Sequence, residues 1–231
     1  MTEKDTLTYC KSKIHSLFRD TNIEKICIVP VYDRTKTISD TERSDKLFNY
    51  KRPTAEIIDD TGYLYVFPGK DYVRHYKKIY ERCGYKVTSK VPTQAQTTRA
   101  LRNIFPADMP DCDVVLLGYV EALVPGVGEW QGNDDIKWKL EMINGQKVVF
   151  VGVAFSYWGN IIYSVVEMLA KYCSTIIYAG KLGSLSSSDI PNATIATGDS
   201  SYVDGSLITW NNLFKKSPLT VEGAHYTLPS V

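Results

Sequence analysis

Five short runs of unbroken apolar character constrain this chain more than anything else in it. They are Lys25–Tyr32 (KICIVPVY), Tyr63–Phe67 (YLYVF), Asp113–Gly118 (DVVLLG), Lys147–Ala154 (KVVFVGVA) and Thr175–Ala179 (TIIYA). A strand with one wet face alternates apolar and polar residues, whereas a continuous run is covered on both faces. Helical spacing fills the gaps between the runs. Tyr72, Val73, Tyr76, Ile79, Tyr80 and Cys83 form one apolar stripe, Ala95, Leu101 and Ile104 a second, and Ile161, Ile162, Val165, Val166 and Leu169 a third. Strands sandwiched by helices predict an α/β fold, three-layer αβα with a mixed, mainly parallel central sheet. A leading helix over 6–19, a short helix near 134–143 and a short strand at Ala193–Ala196 complete the expected elements. Residues 33–60 are polar and weakly periodic and read as a long connection. No internal repeat, low-complexity stretch or dividing linker is visible.

The composition supports a folded core. Of the 231 residues 44% are hydrophobic and 12% aromatic, including 16 tyrosines, which excludes disorder as a description of the whole chain. Lys+Arg 27 against Asp+Glu 26 leaves a net charge of +1, so there is no global pull towards nucleic acid or an acidic membrane, and neither is expected as a partner. The five cysteines are scattered with no CxxC pair, so neither a disulfide framework nor a thiolate zinc site is expected. Cys27 and Cys173 read as small buried hydrophobes. The opening Met-Thr-Glu-Lys-Asp leads into no apolar signal core, and no run approaches the roughly 20 residues that span a bilayer. A cytoplasmic protein is the expectation.

In an open α/β sheet, ligands gather beyond the carboxyl ends of the strands. Four such ends carry suggestive residues. Phe67-Pro68-Gly69-Lys70-Asp71-Tyr72-Val73-Arg74 offers a close backbone approach at Gly69 and a guanidinium at Arg74 for an anion. A tight turn capped by Asp71, with Arg74 in solvent, fits the same residues. Tyr178-Ala179-Gly180-Lys181-Leu182-Gly183-Ser184 is a glycine-bearing loop with one cation, and it lacks the Walker A ending. Asp199 to Ser206, with Asp204 and Gly205, is a polar loop that suits a site mouth or a surface turn. Phe155-Ser156-Tyr157-Trp158-Gly159-Asn160 offers aromatic rings for stacking, or only a helix cap at Asn160. His15, His75 and His225 share no metal-ligand spacing, and neither GxSxG nor HExxH occurs, which disfavours metal-dependent and Ser-His-Asp hydrolysis.

Taken in order, these segments resemble the nucleoside phosphorylase and nucleosidase superfamily, in particular its uridine and purine branch. The similarity runs over roughly residues 62–210, and its co-linear order is more specific than any one motif. Pro68-Gly69-Lys70-Asp71-Tyr72-Val73-Arg74 resembles the family's phosphate-binding turn with one extra residue before the arginine. Val148 to Glu167-Met168-Leu169 resembles the strand and helix that follow, Tyr178 to Gly183 the next glycine loop, and Ile190 to Asp204-Gly205-Ser206 the closing segment. The departures are specific. Tyr178 stands where an arginine would grip phosphate, Lys181 replaces a hydroxyl residue, and a bulky aromatic insert replaces the glycine-rich turn at 155–159. About 40 residues separate the first helix from the strand at Lys147, more than the family pattern needs. The family's ribose-binding acidic segment and its later aspartate have no counterpart before Val231, so either the chain is part of a longer protein or half the usual site is absent.

The resemblance implies cleavage of the N-glycosidic bond of a nucleoside or nucleotide, by hydrolysis or by phosphorolysis. The alternative is a non-catalytic nucleotide-sensing or scaffold module that retains the fold. Gly69, Arg74 and Lys181 would hold phosphate, while Tyr157, Tyr178, Gly180, Leu182, Gly183 and Asp204 would line the ribose and base pocket. The catalytic residues stay unassigned. The resemblance requires no cofactor or metal, with inorganic phosphate as the one candidate co-substrate, and it implies a homo-oligomer. Residues 1–60 read as an N-terminal helix, strand and polar connection, and 61–231 as the phosphorylase-like domain, together one compact unit.

Overall fold

The computed structural model describes residues 3–124, 128–181, 194–203, 205–212, 214, 217 and 220–227. The chain divides into two compact units, residues 1–180 and 181–230.

The first unit is mixed α/β, and its strands form two five-stranded sheets where the sequence suggests a single central one. Helices α1 (Glu3–Ser12) and α2 (Ser16–Arg19) come first, so the single leading helix expected over 6–19 is broken. The break is at His15, whose backbone is extended and whose ring Nδ1 accepts from the Leu17 N–H at 3.1 Å, capping α2. β1 (Lys25–Val29), β2 (Thr37–Ile38), β3 (Thr54–Ile58), β4 (Thr61–Tyr65), α3 (Lys70–Arg82) and β5 (Lys86–Ser89) follow. β4 and β5 flank β1 in parallel, while β2, β3 and β4 form an antiparallel meander, giving the order β2-β3-β4-β1-β5. Part of the stretch expected as a connection over 33–60 is therefore sheet. β4 is hydrogen-bonded on one side to β3 and on the other to β1, so the chain before and after residue 60 shares this sheet.

The same plan then recurs. α4 (Gln94–Ile104) leads to β6 (Val114–Gly118), β7 (Gln131–Gly132), β8 (Ile136–Ile143), β9 (Gln146–Val153), α5 (Asn160–Leu169) and β10 (Thr175–Ala179). β9 and β10 flank β6 in parallel and β7, β8 and β9 form the meander, in the order β7-β8-β9-β6-β10. The hairpins correspond as well. Asp59-Asp60 (φ 45° and 59°) and Asn144-Gly145 (φ 48° and 79°) both close two-residue turns in the left-handed region, as hairpins of this length require. The topology is repeated although no sequence repeat is legible. The segment expected as a helix near 134–143 is the strand β8. All eight of its residues pair in register with β9, and that pairing decides the strand, since Leu140 and Met142 are exposed and Lys139 is buried.

One hydrophobic core runs through both halves. Ile26, Ile28 and Leu64 of the first sheet and Val115, Leu117, Val149 and Val151 of the second share it with Val73 and Ile79 of α3 and with Ile161 and Val165 of α5. A smaller cluster of Phe48, Val120, Val148 and Phe150 covers the other face of the second sheet. Phe48 comes from the first half and reaches that face because residue 152 is glycine; a Cβ there would lie 2.2 Å from the phenyl ring.

α3 and α5 meet at their N-termini, and this is where the two halves are stitched. The N-caps Gly69 and Gly159 offer no side chain. Asp71 Oδ2 instead accepts from the Asn160 N–H at 2.9 Å, and Asn160 Oδ1 accepts from the Asp71 N–H at 3.4 Å. Each helix thus satisfies an orphan N–H of the other, with a carboxylate placed at a positive helix end. The Asn160 amide also donates to Gln94 Oε1 at 2.9 Å and to Thr97 Oγ1 at 3.3 Å, and Thr97 donates to the Pro68 carbonyl.

The second unit holds β11 (Ile195–Thr197), β12 (Ser200–Val203), β13 (Ser206–Thr209), β14 (Thr220–Glu222) and β15 (His225–Thr227). β11 pairs with β14, and β12 lies between β13 and β15. Tyr202 and Tyr226 stack across β12 and β15 at 5.0 Å.

Replacing Asp71 by Ala is expected to cost about 1 kcal/mol of stability, the usual value of a helix cap. Asn160→Ala should cost more, because Gln94 and Thr97 lose their partner as well. The double variant should cost close to the sum of the two singles, as read from urea unfolding, because each side chain bonds the other residue's backbone N–H and the two bonds are separate.

Candidate functional site

At the carboxyl ends of β1, β4 and β9 the two halves leave a shallow hollow of about 10 Å³, room for about one water. Its walls are aromatic: Phe67 and Phe155 stack with centroids 4.5 Å apart, and Tyr32 tilts against both. The segment 49–51 enters by pairing with the end of β9. Asn49 N–H donates to the Val153 carbonyl at 2.9 Å, and the Tyr50 and Lys51 N–H groups donate to that of Ala154 at 2.8 and 2.9 Å. This delivers Lys51 and Arg52 to the hollow.

Most of the charges here are already paired. Lys51 Nζ lies 2.7 Å from Asp135 Oδ1, with the two side chains only 10% and 19% exposed. Tyr32 OH donates to the same oxygen. Burial, followed by that hydrogen bond, raises the Tyr32 pKa far above the usual phenol value, so the group stays protonated and is no base. Arg34 Nη2 meets Glu42 Oε1 at 2.5 Å, and Glu42 Oε2 accepts from the Arg52 N–H at 2.8 Å.

Arg52 also lines a second and larger hollow of about 120 Å³, bounded by α1, the segment around 39–41, β4 and α3. Lys13, His15 and Arg52 face it together with Ser12, Ser39, Thr41 and Tyr76, and no carboxylate is among its lining residues. The guanidinium donates to the Lys51 carbonyl at 3.2 Å. Burial lowers the Lys13 pKa and the charge of Arg52 lowers it further, the mark of two cations held near one another. The Lys13 ammonium sits 5.1 Å from the centre of the Tyr9 ring. His15 is committed elsewhere: Nδ1 takes the Leu17 N–H and Nε2 meets the Thr37 carbonyl at 3.2 Å, while burial lowers its pKa. It is a neutral structural imidazole.

The residues singled out from sequence are distributed differently. Gly69 is buried at the start of α3, where a Cβ would lie 2.4 Å from Ile161, so its local role is close packing of α5. Arg74 is exposed on α3 and lines neither hollow. Tyr157 and Tyr178 are close to one another: burial raises the pKa of Tyr157, and Tyr178 adds to the effect. Gly180 packs against the Tyr178 ring, to which a Cβ would come within 2.7 Å. Lys181 is exposed and opens the second unit. Leu182, Gly183 and Asp204 lie outside the described residues. Sequence reading passes over Lys13, Lys51, Arg52 and Asp135. The signal available for them is the basic pair Lys51-Arg52 directly before Pro53 in an otherwise polar connection. Among the described residues no cluster of three His, Cys, Asp or Glu has a metal-site arrangement, and no helix is long and apolar enough to cross a membrane.

Comparison with known proteins places this chain beside the oxidoreductase cns1 of Cordyceps militaris. The two are 25% identical over 231 aligned positions, which cover 80% of this chain and 28% of that protein. The chain therefore spans little more than a quarter of the relative's length. No family model and no solved structure matches. The relative's name overturns the expectation of N-glycosidic bond cleavage, and with it the nucleosidase, hydrolase and glycosyl-transfer readings, because it points to redox chemistry. Those readings rest on motif order alone, and glycine turns after strands are demanded by packing in many α/β proteins, as Gly69 against Ile161 illustrates here.

His75 carries a pH dependence at the edge of this region. It packs edge-on against Trp158 at 5.2 Å, and burial, then the charges of Lys13 and Lys78, lower its pKa to about 4. The unfolded chain takes up the proton at the ordinary value of about 6.5, so stability is complete above that pH and declines as pH falls towards 4. His75→Phe keeps the ring contact and should flatten this part of the profile, measured as urea midpoints between those limits.

Proposed function

We propose that this chain is a ligand-binding module of a redox protein, holding an anionic small molecule in the larger hollow beside Arg52. The observation that carries the reading is the pair of cations, Lys13 and Arg52, facing one hollow whose lining includes no carboxylate. Two like charges held in a partly desolvated place raise the energy of the free protein, and an anion between them relieves it. Ser12, Ser39 and Thr41 add hydroxyl donors, which suit phosphate or carboxylate oxygens. The redox assignment is supported by the name of the relative. The redox step belongs to the whole protein, and this chain contributes recognition of the substrate or of the carrier.

The test is calorimetric titration of the chain with inorganic phosphate, pyrophosphate and oxidised and reduced nicotinamide dinucleotides. A dinucleotide should bind, inorganic phosphate should compete with it, and affinity should fall with added salt. A charge-assisted hydrogen bond contributes about 1.5–3 kcal/mol, so Arg52→Ala should weaken binding roughly tenfold to a hundredfold. Arg52→Lys should restore part of it, since charge returns without the forked geometry. An Arg52→Ala variant that folds normally and binds all of these ligands as well as the parent would refute the site. Binding of phosphate alone, with no dinucleotide, would leave an anion site and remove the redox reading.

A further inference from the structure

Beyond that site, Cys112 and Cys173 are placed as a pair by the sheet itself. In the parallel pairing of β6 with β10, Val114 lies opposite Thr175 and Val115 opposite Ile176. Two residues earlier the same register sets Cys112 opposite Cys173. The ladder continues to this point, because the Cys112 N–H donates to the Tyr172 carbonyl at 2.9 Å. Residues in register on adjacent strands project to the same face. Neighbouring strands are about 4.8 Å apart, inside the roughly 4.4–6.8 Å between Cα atoms that a disulfide spans. The two thiols are near enough to act on one another's pKa. Cys173 Sγ also donates to the Leu169 carbonyl at 3.6 Å, at the end of α5. Both side chains are partly exposed, and both flank the core beside the stacked rings of Phe105 and Tyr172.

We propose that Cys112 and Cys173 form a reversible dithiol–disulfide couple that links the starts of β6 and β10. The oxidant is a small-molecule disulfide. One cysteine attacks it as thiolate, forming a mixed disulfide and expelling the first small thiol. The second cysteine attacks the protein sulfur of that mixed disulfide and expels the other thiol. Two S–H bonds and the oxidant's S–S bond are broken, and one protein S–S bond forms. The two electrons and two protons leave on the two small thiols, and excess small thiol reverses the sequence. Burial raises the pKa of both groups, that of Cys112 to about 11, so the attack goes through a small thiolate fraction and the couple exchanges slowly. Of the other three cysteines, Cys27 lies within β1, and Cys10 of α1 is near Cys83 at the end of α3 but is fully buried.

The test equilibrates the whole chain in a series of oxidised-to-reduced glutathione ratios, quenches with acid and alkylating reagent, and maps the unreduced peptides by mass spectrometry. Two of the five thiols should disappear together, in a peptide joining residues 112 and 173, and return as the ratio is reversed. Cys112→Ser and Cys173→Ser should each remove that linkage and leave a glutathione adduct on the remaining partner. The proposal is overturned if the parent chain gives only glutathione adducts or links to other cysteines. It is equally overturned if the thiols persist at the most oxidising ratio, or if a linkage once formed survives the most reducing one, which would make it a structural bridge. The parent chain alone decides each of these outcomes, so a serine variant that fails to fold changes nothing.

Discussion

Two helix N-termini brought nose to nose set the terms for the first unit. An isolated helix leaves its first N–H groups unpaired, and both α3 and α5 begin at glycines that have nothing to offer them. The solution is mutual: Asp71 serves α5 and Asn160 serves α3. That arrangement fixes the carboxyl ends of β4 and β9 beside one another, because each helix starts only a few residues after its strand. The aromatic stack of Phe67 on Phe155 and the hollow in front of it follow from this.

The charges around the hollows separate into two kinds. Lys51 with Asp135 and Arg34 with Glu42 are ion pairs that hold the crossing segment in place, each sparing the other the cost of lone burial. Lys13 and Arg52 face their hollow with no carboxylate on its walls, and the charge of Arg52 makes Lys13 harder to keep charged. Paired charges hold the structure, and the electrostatic cost left at Lys13 and Arg52 is what a ligand would recover. Arg52 joins the two kinds, since its backbone N–H is tied to Glu42 while its side chain lines the hollow.

Much of the local structure is legible in the sequence. The apolar runs correspond to β1, β4, β6, β9 and β10 with small shifts at their ends, and the stripe on α3 points inward, whereas Ala95 of α4 and Val166 of α5 are exposed. β8 invites a helical reading because a short alternating segment with three charged residues resembles a helix if its period is not counted. β3 escapes notice because it carries five residues of weak pattern and draws its stability from β4. The candidate site is barely legible. Lys13 beyond α1, Arg52 in a connection and Tyr76 on α3 are far apart in the chain, and no spacing rule joins them. The glycine at 69 stands out in the sequence, but its neighbour is the Ile161 side chain, a fact that no motif contains.

On its own the sequence determined where the main strands lie and which face of α3 is apolar, because those depend on residues a few positions apart; of the five runs it reads as covered on both faces, only β9 is buried on both. Only the tertiary structure decided that the strands divide into two sheets of one repeated plan, that Cys112 lies opposite Cys173, and that Lys13 and Arg52 share a hollow. Pairing between distant strands is selected by how whole faces pack together and by where buried N–H groups find partners. Both are sums over many residues, and no single stretch of chain carries them.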